Sequence, residues 1–174
     1  HTDINSDSRI LKELESLSKN KKVRITALGV HMNEENKKYK KIEHVKIYSI
    51  NLNSRKLIFL PAFIKHSLSV IELTLKMIFN SFKAKPSIIH CHDTLVLPLG
   101  VLVKLFTGSK LIYDAHELES NRNGLSKTLG KMTLFVEKLL WKFVDKLIVV
   151  SPSIAIWYQE NIGEKVTEII MNSP

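Results

Sequence analysis

Apolar residues recur along the chain in two spacings. Residues 7–17 open with Asp7, a good N-cap, and place apolar side chains at 10, 14 and 17, which predicts an amphipathic helix running to about residue 20. Residues 22–30 (KVRITALGV) and 43–50 (EHVKIYSI) read as strands, with the lysine-rich EENKKYKK between them as a solvated loop. Residues 60–82 predict a long helix whose polar residues keep to a narrow stripe at Lys65, Ser69, Glu72, Lys76 and Asn80, continuing to Lys83. From Ser87 onward the rhythm becomes regular. Short apolar strands at 87–91 (SIIHC), 110–114 (KLIYD), 146–150 (KLIVV) and 166–171 (VTEIIM) alternate with helices at 94–106, 125–145 and 151–162. Strands that are apolar on both sides and alternate with helices belong to a parallel sheet covered on both faces. The pattern therefore predicts a doubly wound, mostly parallel, Rossmann-like α/β fold.

Length and composition narrow the picture. A chain of 174 residues with 44% hydrophobic content can bury a sizeable core as one domain. Lys and Arg number 26 against 17 Asp and Glu, a formal charge of +9, which favours an anionic partner. Cys91 is the single cysteine, so an internal disulfide and a four-cysteine zinc site are excluded, and a reducing cytoplasm is the expected location. The longest bare apolar run, residues 57–64, is broken by Pro61 and far too short to span a bilayer. The chain opens at His1 in polar residues, and it is expected to be a trimmed piece of something longer.

Three successive strands end in polar clusters: SIIHC runs into His92, Asp93 and Thr94, KLIYD into His116, Glu117 and Leu118, and KLIVV into Ser151 and Ser153. In a parallel α/β sheet, ligands bind outside the carboxyl ends of the strands, so three clusters on one rim predict a shared site. The bland alternative is that Asp93, Thr94 and Ser151 only cap the following helices. A metal site is the other reading of His-x-His-Asp with a distant His-Glu. Against it, His90 is expected inside the strand among apolar neighbours, and Glu117 has no helical partner, so no metal is assigned. Neither G-x-x-x-x-G-K-[ST] nor G-x-G-x-x-G occurs, which argues against a P-loop or self-contained dinucleotide site. Nucleic acid is not an expected partner, since no aromatic residues interleave with the basic ones.

The order of the pieces DSRILKELESLSKNKKVRITALG, PSIIHCHDTLVLPLGVLVKL, KLIYDAHELESNRNG, VDKLIVVSPSIAIWY and VTEIIMNSP resembles the N-terminal domain of retaining glycosyltransferases of family 4, which have the GT-B fold. The resemblance implies an acceptor-binding Rossmann-like domain over residues 1–171, the start of an interdomain linker at 172–174, and a donor-binding domain absent from this chain. It departs from the family at the amino end, where HTDINSDSR stands in place of an apolar first strand and a glycine-rich loop. The implied reaction moves a sugar from a nucleotide-sugar donor to a cell-surface glycan or glycolipid acceptor with retention of configuration. No cofactor or metal is implied, and the fragment alone is expected to be inactive. His92 matches the second histidine of the family's H-x-H-D motif and carries the catalytic expectation. Asp93, His116 and Glu117 match acceptor-side positions; Asn5 and Arg9 are expected to line the cleft, and Arg122 to meet a phosphate on a lipid-linked acceptor. Lys127, Lys131, Lys138 and Lys142 fall along one helix face and suit an anionic membrane surface, placing the protein in the cytoplasm or at the inner face of the cell membrane. A nucleotide-sugar epimerase half-domain and a non-enzymatic basic docking module are the alternatives.

Overall fold

The computed structural model describes residues 7–30, 42–57, 59–118, 120 and 125–171. The chain forms two compact units, His1–Ala84 and Lys85–Pro174. Every strand pairing in both is parallel.

In the first unit, α1 (Ser8–Ser18) precedes the strands β1 (Ile25–Val30) and β2 (Val45–Ile50), and α2 (Ala62–Ala84) follows them. Asp7 starts α1 as expected, its carboxylate accepting from the backbone N–H groups of Arg9 and Ile10 at 3.1 and 3.3 Å. Leu14, with Ile10 and Leu11 beside it, packs on the face of the two strands that carries Ile25, Ala27, Val45 and Ile47. The long helix begins at Ala62 instead of residue 60, because Pro61 supplies the first carbonyl, accepting from Lys65 N–H at 3.0 Å. Glu72 on α2 receives the N–H groups of Asn53 and Ser54 at 2.9 and 2.8 Å, which fastens the 3-10 turn Asn53–Lys56 to the helix.

The second unit is a four-stranded sheet in the order β3 (Ile88–His92), β4 (Lys110–Ala115), β5 (Lys146–Val149) and β6 (Val166–Ile169). Between them run α3 (Leu97–Thr107), α4 (Lys127–Leu140) and α5 (Pro152–Asn161). Alternation along the strands separates two faces. Cys91, Leu111, Tyr113, Ala115, Leu147 and Val149 point into a core closed by Leu97 and Val101 of α3, Trp141, Val144 and Tyr158. His90, His92 and Asp114 occupy the opposite phase. The α3 backbone approaches closely at Gly100, where a Cβ would collide with Cys91 Sγ and stand 3.0 Å from Leu111 Cδ1.

Three helices are shorter than their apolar patterns. The helix expected from Thr94 starts at Leu97, after a turn through Thr94 to Val96, with Pro98 in its first turn. The pattern over 125–145 resolves into α4, capped by Ser126 and continued by a 3-10 turn at Trp141–Phe143. The expected helix at 151–162 contracts to α5 because Ser151 takes the N-cap position, accepting from Ile154 N–H at 3.3 Å.

Candidate functional site

The site lies at the carboxyl ends of β3 and β4, which the register brings level: His90 pairs with Ile112 and His92 with Asp114. The strand period of two then puts His90, His92 and Asp114 on one side of the sheet. Asp114 is the centre of the group and is almost fully buried. Its Oδ1 faces His116 Nδ1 at 3.0 Å, a true hydrogen bond, while its Oδ2 faces His90 Nε2 at 3.5 Å and His92 Nδ1 at 3.4 Å. The rings of His90 and His92 stack with centroids 4.3 Å apart, and His116 leans on His92 at 5.3 Å. Burial on its own would raise the Asp114 carboxyl. The hydrogen bond from His116 and the ring nitrogens of His90 and His92 facing its other oxygen more than offset that, holding it well below the usual carboxylate range.

Asp93 follows directly on β3 with a left-handed backbone, φ 72°, and its N–H donates to the carbonyl of Asp114 at 3.3 Å. That conformation costs a non-glycine residue energy and turns the chain sharply off the strand. Its carboxylate lies 3.9 Å from His116 Nε2, on the side of the ring away from Asp114. His116 is therefore flanked by two carboxylates, one buried and one partly open to solvent.

Of the sequence-expected residues, the structure joins His92, Asp93 and His116 in this cluster. Glu117 is solvent-exposed, one residue beyond it. Arg9 lies half-buried on α1 in the first unit. Asn5 and Arg122, and the linker residues 172–174, lie outside the described residues. His90 departs from the expectation of apolar surroundings: it has the same side-chain exposure as His92, 23% against 21%, and shares the same carboxylate oxygen. Asp114 was the residue sequence reasoning missed, although a carboxylate ending the apolar run KLIYD was a visible signal. The capping alternative holds for Ser151. Thr94 makes no helix cap; its hydroxyl bonds Tyr113 Oη at 2.7 Å and Glu137 Oε1 at 3.0 Å.

Chemically, the cluster offers imidazoles held in orientation by a carboxylate, which suits hydrogen bonding to hydroxyls and proton transfer. One ring nitrogen each of His90 and His92 and a carboxylate oxygen of Asp114 also lie within 4.8 Å of one another, close enough to hold a divalent ion. Cys91, between the histidines, points into the core, and burial pushes its thiol up to about 12.

Comparison with known proteins agrees with the fold. The structure of sucrose-phosphate synthase from Thermosynechococcus elongatus superposes with a TM-score of 0.67 at 16% identity, covering 94% of this chain and 42% of that one. A second structure of the same synthase gives a TM-score of 0.65 at 14% identity, covering 94% of this chain and 83% of that one. No curated protein matches the chain. The architecture is thus the Rossmann-like half-domain of the GT-B fold. The sequence pattern described as Glycosyltransferase Family 4 matches residues 19–172, nearly the whole of what carries the strands and the histidine cluster, and the chain belongs to that family.

Proposed function

We propose that this glycosyltransferase domain is the acceptor-binding half of an enzyme that moves a sugar from a nucleotide-sugar donor to a cell-surface glycan or glycolipid, with retention of configuration. The chain spans 42% of the full synthase it resembles, so the reaction is proposed for a protein that joins this domain to a donor-binding one. The observation that carries the reading is the imidazole cluster around Asp114 at the strand ends. With Nδ1 of His92 turned to the carboxylate, its Nε2 is the atom that meets a hydroxyl of the transferred sugar. Asp93 and His116 orient the acceptor hydroxyl, and Glu117 stands at the outer margin of the same subsite. The reaction is proposed to need no metal, and this chain alone to transfer no sugar.

The test is His92→Ala in the full-length enzyme. Turnover falls by a factor on the order of 10², the cost of a small misplacement at a reacting centre, while the melting temperature stays close to that of the parent. Full activity of the variant overturns the assignment. One equivalent of zinc or manganese per chain by elemental analysis, or loss of turnover on chelation, overturns the metal-free part.

A membrane-facing role is supported by α4. Lys127, Lys131 and Lys138, with Lys142 in the 3-10 turn that follows, are all exposed. Next to them the same helix exposes Met132, Phe135 and Leu139, at 59%, 66% and 58%. A basic stripe beside an exposed apolar one is the arrangement of a helix that lies on an anionic bilayer surface. On that reading the enzyme is proposed to work in the cytoplasm, at the inner face of the cell membrane.

A further inference from the structure

Glu137 of α4 has no exposed surface, yet it is a carboxylate. Three hydroxyls converge on its Oε1: Thr94 Oγ1 at 3.0 Å, Tyr113 Oη at 2.7 Å and Tyr158 Oη at 2.7 Å. Thr94 and Tyr113 are themselves 2.7 Å apart, so the four side chains form a closed knot in which the two protons of Thr94 and Tyr113 serve three contacts, between those two hydroxyls and from each to Glu137. Its Oε2 is buried with no hydrogen-bond partner, and among the described residues no lysine, arginine or histidine is paired with Glu137. A buried carboxylate held only by hydroxyls is an expensive way to fill a core, and an apolar residue of similar volume would pack there at lower cost. The expense points to something other than stability.

What the knot fixes is the turn behind the histidine cluster. Thr94 directly follows Asp93, whose left-handed backbone turns the chain off β3 and whose N–H is bonded to Asp114. Tyr113 directly precedes Asp114 on β4. One carboxylate on the core side of the sheet thus grips the neighbours of two site residues, and Tyr158 ties the grip to α5.

We propose that Glu137 is a positioning residue: through Thr94 and Tyr113 it sets the backbone from which His92, Asp93 and Asp114 are presented on the opposite face. That this serves sugar transfer rests on the function proposed above; the mechanical coupling does not. Glu137 touches none of the reacting groups and acts only through the hydroxyls it receives.

The test reads the histidine rings directly and requires no turnover. Imidazole resonances of His92 and His116 are followed by NMR in this chain, alongside hydrogen exchange at the Asp93 amide. Variants are Glu137→Gln, which keeps the shape and removes the charge, and Thr94→Val, which removes one hydroxyl and leaves Glu137 in place; Thr94→Ser is the rescue. Val103→Ala, a buried truncation on α3 outside the core cluster that holds Tyr113 and Tyr158, controls for general destabilisation. Both knot variants shift the His92 and His116 resonances and speed Asp93 exchange about tenfold, the factor carried by one lost hydrogen bond to a charged group. Thr94→Ser restores both readouts, and Val103→Ala leaves the resonances in place. If Glu137→Gln does not fold, Thr94→Val alone decides. Unchanged resonances in Thr94→Val, or an equal shift in Val103→Ala, overturns the positioning role. Shifted resonances in a full-length Thr94→Val enzyme that keeps full turnover would leave the coupling standing and count against the transfer function of the cluster.

Discussion

Replacing Asp114 by asparagine removes one negative charge from among three imidazoles with almost no change of volume, and the structure sets the size of the effect. Only His116 Nδ1 stands at hydrogen-bond length from the carboxylate, 3.0 Å, while the His90 and His92 nitrogens are at 3.5 and 3.4 Å. A hydrogen bond to a charged group is worth roughly 1.5–3 kcal/mol, and the asparagine carbonyl recovers part of it, so the net loss at neutral pH is about 2 kcal/mol. Trp141 and Trp157 both lie in the second unit, so their fluorescence reports its unfolding in urea. With a denaturant slope of about 2 kcal/mol per molar, the midpoint falls by about 1 M.

The pH dependence is the sharper measurement. Asp114 is depressed in the folded protein, burial opposing and the three facing histidines, His116 foremost, prevailing. A depressed carboxyl contributes stability that is fully present above its ordinary value of 3.8 and is lost as pH falls below it. The parent therefore loses up to about 1.4 kcal/mol per pH unit from this group below that point, and the asparagine variant loses none from it. The gap between the two proteins narrows between pH 4 and pH 3. A gap that stays constant or widens over that range refutes the argument.

Gly100→Ala forces a methyl group onto Cys91 Sγ and close to Leu111, lowering stability by about 1–3 kcal/mol, and Cys91→Ala in the same chain recovers part of the loss; thermal unfolding of the single and double variants checks both. Cys91, with its thiol pushed up to about 12 by burial, resists a thiol-labelling reagent at pH 8 in the folded chain and reacts fully in denaturant, and rapid labelling of the native protein contradicts this. The domain binds vesicles containing phosphatidylserine in a salt-sensitive manner, and changing Lys127, Lys131, Lys138 and Lys142 to glutamine weakens binding by about 1 kcal/mol per lysine in contact with the surface; equal binding to neutral vesicles counts against it.

How much of this was legible beforehand depends on the sequence distance over which each contact acts. The strands of the second unit announced themselves as apolar runs, and the placement of polar residues at their carboxyl ends followed from parallel topology alone. The register that sets His92 beside Asp114 was not readable, because it depends on pairing between segments more than twenty residues apart. Glu137 was hidden for the same reason: its partners Thr94, Tyr113 and Tyr158 stand 43, 24 and 21 residues away. In TLFVEKLL it reads as one more charge on a solvated helix. Its phase carried a signal, since Gly130, Glu137 and Trp141 fall at the spacing of a buried face and all three are buried. Helix starts were legible at the caps Asp7 and Ser151, while the late start of α3 came from a left-handed turn at Asp93 that a non-glycine residue does not advertise.

The grouping of His90, His92 and His116 around Asp114 has a further consequence for how substitutions combine. The three rings face one carboxylate and lean on one another, so replacing any one of them changes the surroundings of the other two. The effects of single substitutions within the cluster should then fail to add, with a coupling of about 0.5–3 kcal/mol between neighbours, whereas sites far apart add. The unit on which substitution acts is the cluster and not the single ring.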